Sequence, residues 1–274
     1  MERTLQSCVL LNSGEKIPQL GLGVFKSAEE TAYAVSSALA AGYRHIDTAT
    51  AYGNERQVGE GIRSSGVSRG EIFLTTKLWN DDMRAGTQAQ AIERSLEALG
   101  TDYIDLYLIH WPVKGCFVSS WKVLEDYHRQ GVLRSIGVSN FQDYHLTELL
   151  REAEVVPAVD QIECHPYLTQ ESLSAFCKAR GIAVEAWSPL GKGNVLADPV
   201  ITELAAKHGK SPAQVIIRWH LQNGRIVIPK SVHDNRIREN ADVFDFTLSQ
   251  EEMARIAELN RNQRFGSDPD HFDF

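Results

Sequence analysis

The feature that most constrains this chain is a rhythm: a short β-branched run, a polar loop, then a segment of helical period, repeated eight times. "QLGLGVF" leads to "AEETAYAVSSALAAG", which closes at Gly42 as helices commonly close at glycine. "YRHIDTA" leads to "NERQVGEGIRSSG", "IFLTTKL" to "RAGTQAQAIERSLEALG", and "YIDLYLIHW" to "SSWKVLEDYHRQG". "LRSIGVSNF" leads to "DYHLTELLREAE" and "AVDQIECHP" to "TQESLSAFCKARG". "IAVEAWSPL" precedes two helical stretches, "PVITELAAKHG" and "SPAQVIIRWHLQNG"; "RIVIPKS" then leads to "DNRIRENADVF". Each crossover helix returns the chain to the same sheet edge, so the strands run parallel. Eight such units predict closure into a (β/α)₈ TIM barrel, and 274 residues without a linker or low-complexity tract suit one barrel domain over residues 1–274.

The competing architecture is an open dinucleotide-binding sheet. Its G-x-G-x-x-G fingerprint fails in "GLGVFK", where Lys26 stands at the third glycine. Ahead of the first unit, "CVLLNSGEKIPQL" has two short runs joined by Asn12-Ser13-Gly14, a β-hairpin expected to cap the bottom of the barrel. The tail "SDPDHFDF", acidic and aromatic with a turn at Asp268-Pro269, reads as a surface segment.

A net charge of −8 with no lysine- or arginine-rich run disfavours nucleic acid or an anionic membrane as partner. The first residues carry charges early and lack an apolar core before a small-residue cleavage site, so no signal peptide is read. "YIDLYLIHW" is too short and polar to span a bilayer. Cys8, Cys116, Cys164 and Cys177 are scattered, as free thiols of a reducing cytoplasm would be. Neither cysteines nor histidines have zinc-ligand spacing, so no metal is expected.

Barrels of this kind build their active sites at the C-terminal strand ends. There the second strand ends at Asp47 and runs on to Tyr52, the third ends at Lys77 and the fourth at His110. The fifth delivers Ser139 and Asn140, the sixth Gln161 and Glu163, the seventh Trp187 and Ser188, the eighth Lys230 and Ser231. Singly, such an aspartate caps a helix, a lysine is solvated, and a histidine or tyrosine packs. Together at one rim they suit one task. Lys77 is expected to lower the phenol pKa of Tyr52, Asp47 to hold the ammonium charged, and His110 to orient a substrate oxygen. That set protonates an oxygen gaining negative charge, as carbonyl reduction requires.

No side chain supplies a hydride, so a nicotinamide cofactor is implied. Trp187 can stack on it, and Ser139, Asn140 and Gln161 can bind a carboxamide. Lys230, Ser231 and Arg236 beside a helix start suit an anion. Two cations there favour the 2′-phosphate of NADPH over the bare ribose of NADH.

"GYRHIDTATAYGNERQVG", "RSIGVSNF" and "IPKSVHDNRIREN" resemble, in order and position, the three signature stretches of the aldo-keto reductases. "TTKLWN" and "LIHWP" are similar to that family's lysine and histidine segments. The resemblance covers essentially the whole chain. It implies an NADPH-dependent carbonyl reductase on a (β/α)₈ barrel, cytoplasmic and monomeric, acting on small-molecule aldehydes and ketones. The family's tetrad falls on Asp47, Tyr52, Lys77 and His110, with Tyr52 as proton donor. Its nicotinamide contacts fall on Ser139, Asn140, Gln161 and Trp187. Its pyrophosphate and adenosine contacts fall on Ser188, Leu190, Lys230, Ser231, Val232, Arg236, Glu239 and Asn240.

Many relatives stack a tyrosine where this chain has Trp187, and "EAWSPLG" is similar to the microbial and protist branch with 2,5-diketo-gluconate reductases and prostaglandin F synthases. The link "PVKGCFVSS" after Trp111 is short compared with the family's vertebrate members, which implies an open pocket and broad substrate acceptance. Its walls would be Val24, Phe25, Tyr52, Trp79, His110 and Trp111, aromatic surfaces around a few converging donors.

Two other chemistries fit less well. A barrel glycosidase needs carboxylates about 5–10 Å apart, and Glu163 and Glu185 lie on neighbouring strands. Glu185, however, precedes its strand's end, and the fourth strand ends in His110. A short-chain dehydrogenase would need Y-x-x-x-K, and Tyr52 has Arg56 at that spacing. A cofactor-sensing channel subunit or a lens-type structural protein would show a damaged tetrad or long docking insertions, and this sequence has neither.

Overall fold

Every one of the eight runs becomes a strand, and a computed structural model describes residues 4–274. The first three residues, whose charges entered the reading of the N-terminus, lie outside the described part. The chain opens with β1 (Cys8–Leu10) and β2 (Lys16–Pro18). The barrel follows as β3 (Leu22–Gly23), α1 (Thr31–Ala40), β4 (His45–Asp47), α2 (Glu55–Ser65) and β5 (Phe73–Leu78). Next come α3 (Asn80–Ala85), α4 (Gln88–Leu99), β6 (Ile104–Ile109), α5 (Phe117–Arg129), β7 (Leu133–Ser139) and α6 (Asp143–Glu152). Then follow β8 (Val159–Glu163), α7 (Glu171–Lys178), β9 (Ala183–Trp187), α8 (Pro199–His208) and α9 (Pro212–Gln222). The series ends with β10 (Ile226–Val227), α10 (Asp234–Ala241) and α11 (Gln250–Ala257).

Strands β3 to β10 pair in sequence order, all parallel. The sheet closes on itself. Parallel bridges join Leu20 to Val227 and Gly23 to Lys230, and Gly21 N donates to the Val227 carbonyl at 2.9 Å. The result is the expected (β/α)₈ barrel.

Side chains alternate across each strand, so every second residue enters the lumen. Along β5, Leu74 and Leu78 join the apolar layer beneath the helices and Thr76 donates to Glu55 of α2, while Phe73 and Lys77 face inward. The same period sends His45 and Asp47, then Val159, Gln161 and Glu163, then Glu185 and Trp187, to the inside. The antiparallel hairpin β1–β2 packs Ile17 and Leu11 against Phe73, Leu106, Val159 and Ile226, near the N-terminal ends of their strands. It caps the bottom, as its sequence implied. An apolar plug below and a polar rim above leave the chemistry on one face.

Helix boundaries follow local signals. Ser211 and Gln214 form a reciprocal capping box with Pro212 at the first helical position of α9. After α1, Gly42 takes φ 97°, a left-handed value that a side chain would resist. Among the described residues no helix is long and apolar enough to cross a membrane. All four cysteines are free, with Cys164 and Cys177 buried.

Candidate active site

At the rim, the lumen-facing ends of β4, β5 and β8 bring three groups into contact. Lys77 Nζ donates to both Asp47 carboxylate oxygens, at 2.7 and 2.8 Å, and to the Thr48 carbonyl at 2.8 Å. Gln161 Nε2 donates to Asp47 Oδ2 at 2.7 Å. Lys77 is 0% and Asp47 2% exposed, so the pair lies outside the screening of water. Burial works against the Lys77 charge, but the Asp47 carboxylate overcomes it and holds the ammonium above its ordinary pKa.

Tyr52 comes from the single 3₁₀ turn Thr50–Tyr52 that follows β4, and this turn swings the phenol back over the rim. Lys77 Nζ lies 5.2 Å from the Tyr52 ring centroid. The His110 ring, just past β6, meets the Tyr52 ring edge-on with centroids 5.7 Å apart. Lys77 does favour the phenolate, as its position implied. Burial nevertheless outweighs it, and the phenol pKa is raised above its ordinary value where the sequence argument expected it lowered. The correction has a simple cause: desolvation penalises the phenolate more than one nearby cation, itself neutralised by Asp47, can repay. Tyr52 is therefore a protonated phenol at neutral pH. Burial, aided by Lys77, pushes His110 well below its ordinary pKa, leaving a neutral imidazole.

The second group of residues sits on β7, β8 and β9. Ser139 Oγ donates to the Gln161 carbonyl at 2.8 Å. Asn140, at φ 64°, donates from Nδ2 to the His110 carbonyl at 3.0 Å and to Ser139 Oγ at 3.1 Å. Trp187 Nε1 donates to Asn140 Oδ1 at 2.9 Å. The indole is partly exposed, as a stacking surface must be. Ser188 and Leu190 are likewise partly exposed just beyond it.

Across the barrel seam, Lys230 and Arg236 are exposed, Ser231 and Val232 are nearly buried, and α10 begins at Asp234. No side chain caps the first N–H groups of α10, so the helix start offers donors and a positive dipole end to an anion. Arg236 and Asn240 stand one helical turn apart on one face, with Glu239 beside them. A nicotinamide dinucleotide phosphate fits these groups: a partly exposed indole, polar side chains at the rim, and an uncapped helix start beside two exposed cations. Among the described residues no group of three or more His, Cys, Asp or Glu side chains could hold a metal ion.

The pocket walls combine expected and unexpected residues. The Phe25 ring is 49% exposed and 4.8 Å from that of Tyr52, and Trp79 stands 5.2 Å edge-on to His110. Val24 differs from the expectation. Its side chain is 0% exposed and belongs, with Leu20 and Leu22, to the apolar core outside the lumen. It contributes its carbonyl, which accepts Asn54 Nδ2 at 3.0 Å.

The tail is the larger surprise. It folds back over the rim and is no mere surface segment: Phe274 stacks on Trp79 at 5.7 Å and meets Trp111 edge-on at 5.2 Å, and Phe272 lies 5.2 Å from Trp111. Asn80 Nδ2 and Arg84 Nη2 both donate to the Phe274 backbone oxygen at 2.9 Å. Glu163 Oε1 pins the base of the tail, accepting the N–H groups of Phe265 at 2.7 Å and Gly266 at 3.0 Å. Burial alone would raise the Glu163 pKa, but these donors and His165 hold it below its ordinary value. A Cβ at Gly266 would come within 2.2 Å of the Trp187 ring, so only glycine permits this approach. The alternation of Phe272 and Phe274 in "HFDF" was the available signal, and its partners were far away in sequence.

A closed parallel barrel carrying a buried Asp–Lys pair under a tyrosine and a neutral histidine, beside an uncapped helix start flanked by exposed cations, has the parts of an oxidoreductase. Residues 19–261 match the aldo/keto reductase family. The chain belongs to that family. It is 53% identical over 271 residues to the 9,11-endoperoxide prostaglandin H2 reductase of Trypanosoma cruzi, covering 97% of this chain and 96% of the relative. It is 51% identical over 276 residues to the glyoxal reductase of Bacillus subtilis, covering all of both. Among solved structures, the Bombyx mori aldo-keto reductase in complex with NADP superposes with a TM-score of 0.92 at 40% identity, over 98% of this chain and 97% of that one. A Gox0644 mutant in complex with NADPH gives 0.94 at 45% identity, over 98% and 99%.

Proposed function

We propose that this chain, an NADPH-dependent carbonyl reductase, converts a broad range of small aldehydes and ketones to alcohols with Tyr52 as the proton donor. NADPH, when bound, supplies the hydride. The observation that carries the assignment to Tyr52 is the fully buried Lys77–Asp47 pair beneath a phenol that is protonated at neutral pH.

As negative charge builds on the carbonyl oxygen, the Tyr52 hydroxyl passes its proton to it. The cation 5.2 Å from the phenol ring stabilises the phenolate left behind, and it does so in a water-poor site where charge acts strongly. Asp47 keeps that cation protonated and aimed. A neutral His110 orients the same oxygen by hydrogen bonding without competing as a proton donor. Trp187 would hold one face of the nicotinamide, Ser139, Asn140 and Gln161 its carboxamide, Ser188, Leu190 and Val232 the middle of the dinucleotide. Lys230, Ser231 and Arg236 would take phosphate, and Glu239 and Asn240 the adenosine. Phe25, Trp79 and Trp111 would wall the substrate pocket, and Phe272 and Phe274 would narrow it.

Broad acceptance is supported by the names of similar proteins, which range from glyoxal and methylglyoxal reductases to a morphine 6-dehydrogenase. A single barrel domain, a monomeric state and a reducing, cytoplasmic setting accord with the family resemblance and the four free thiols. The test is Tyr52→Phe, with NADPH oxidation by 4-nitrobenzaldehyde followed by absorbance and NADPH affinity by fluorescence titration. Turnover should fall by at least about a hundredfold, with affinity little changed. Near wild-type turnover would remove Tyr52 from the role.

A further inference from the structure

The side-chain amides at the rim have no hydrogen left to give. Gln161 spends one Nε2 hydrogen on Asp47 Oδ2 at 2.7 Å and the other on Glu185 Oε2 at 3.0 Å. Asn140 spends both on the His110 carbonyl and Ser139 Oγ, and Ser139 spends its own on the Gln161 carbonyl. The amide orientations are dictated by chemistry. The Asp47 carboxylate, paired with the Lys77 ammonium, faces Gln161, so the amide oxygen cannot turn that way without meeting like charge. The Trp187 indole, a donor only, requires Asn140 Oδ1 to face it.

Glu185 is the unexplained member of this arrangement. It lies in the middle of β9, is 0% exposed, and sits deeper in the lumen than the rim. Its other oxygen faces His45 Nε2 at 3.5 Å, which in turn lies 3.3 Å from Thr75 Oγ1. The remaining charged groups acting on it are Asp47 and Lys77. A carboxyl group so placed touches no substrate, yet it consumes the one Gln161 hydrogen that Asp47 leaves over.

We infer that Glu185 is a positioning residue which, together with the Trp187 indole N–H, leaves the rim amides with acceptors alone, so that the cleft selects a carboxamide through its NH₂ group. The inference rests on the cofactor reading above and deepens it. Glu185 silences the surplus donor of Gln161, and Trp187 fixes Asn140 in the matching sense. Ligands that keep the carbonyl but lack the NH₂ then find no complementary donor.

The probe is 3-acetylpyridine adenine dinucleotide phosphate, in which an acetyl group replaces the carboxamide. Binding of this analogue and of NADP⁺ is titrated by quenching of intrinsic tryptophan fluorescence, without turnover. The wild-type protein should bind the analogue about tenfold or more weakly, roughly one or more net hydrogen bonds. In Glu185→Leu the freed N–H can donate to the acetyl oxygen, and the ratio should fall to about threefold or less. Glu185→Gln retains an acceptor for Gln161 and a polar group for His45, and should keep the wild-type ratio. Full discrimination in Glu185→Leu, or none in the wild type, overturns the inference. A wild-type protein that binds neither dinucleotide refutes the cofactor reading itself, a separate outcome. Should Glu185→Leu fail to fold, the wild type decides by NMR: the Gln161 side-chain NH₂, assigned by its loss in Gln161→Ala, should show two hydrogens protected from solvent exchange. A rapidly exchanging or rotating pair overturns the proposal.

Discussion

Replacing Lys77 by methionine separates what the buried ion pair does for the fold from what it does for the reaction. The substitution keeps the length of the stem and deletes three donated hydrogen bonds, two to Asp47 and one to the Thr48 carbonyl. Asp47 is then left 2% exposed with Gln161 Nε2 as its remaining donor. Breaking a buried pair from one side strands a charge and costs about 3–5 kcal/mol. In a domain of this size each kcal/mol lowers Tm by about 2–4 °C, so Lys77→Met should melt roughly 6–20 °C below wild type. Adding Asp47→Asn removes the stranded charge while leaving a polar group for Gln161. The double variant should therefore recover most of the stability, to within about 1–2 kcal/mol.

Activity should not follow. Neither protein has a cation to stabilise the Tyr52 phenolate, so kcat should stay at least about a hundredfold down in both. Differential scanning calorimetry and an NADPH-oxidation assay on the same preparations give both numbers. A Lys77→Met protein that melts with the wild type, or a double variant that regains kcat along with Tm, would refute the account of the pair given above.

Burial, reinforced by the neighbouring Asp47 charge, pushes Glu185 up to about 8 from an ordinary 4.5. Its contribution is then fully present below pH 4.5 and is lost as pH rises toward 8, because the unfolded chain releases the proton over that window and the folded one keeps it. Glu185→Gln, which cannot ionise, should become progressively more stable than wild type between those limits, and pH-dependent denaturant melts that run parallel would count against the burial argument. Arg236→Ala, at an exposed guanidinium beside the start of α10, should weaken NADPH about tenfold and leave NADH unchanged; equal losses by fluorescence titration would remove the 2′-phosphate assignment. Phe274→Ala, which takes away the ring stacked 5.7 Å from Trp79, should raise KM for aromatic aldehydes several-fold, on the scale of about 1 kcal/mol for an aromatic pair, with kcat little altered. An unchanged KM would place the tail outside the pocket.

The barrel and most of its rim were legible because strand alternation is a local property. A period of two sends Asp47, Lys77, Gln161 and Trp187 into one lumen whatever the rest of the chain does, and eight strand–helix units leave a closed barrel as the natural place for them. Proton-donating chemistry followed from residue types alone. What escaped the sequence was everything that depends on the balance of competing fields or on distant contacts. The sign of the Tyr52 shift turns on how much water the phenol loses, which no spacing encodes. The tail's role turns on Phe272 and Phe274 meeting Trp79 and Trp111 across more than 150 positions, with Gly266 allowing the approach to Trp187. Glu185 looked like a carboxylate one step short of the rim, and only the register of β8 against β9, Gln161 opposite Glu185, made it the partner of a rim amide. Residue order along a strand determines which face a side chain takes; which neighbour it meets there, and how dry the meeting place is, is decided when the strands close.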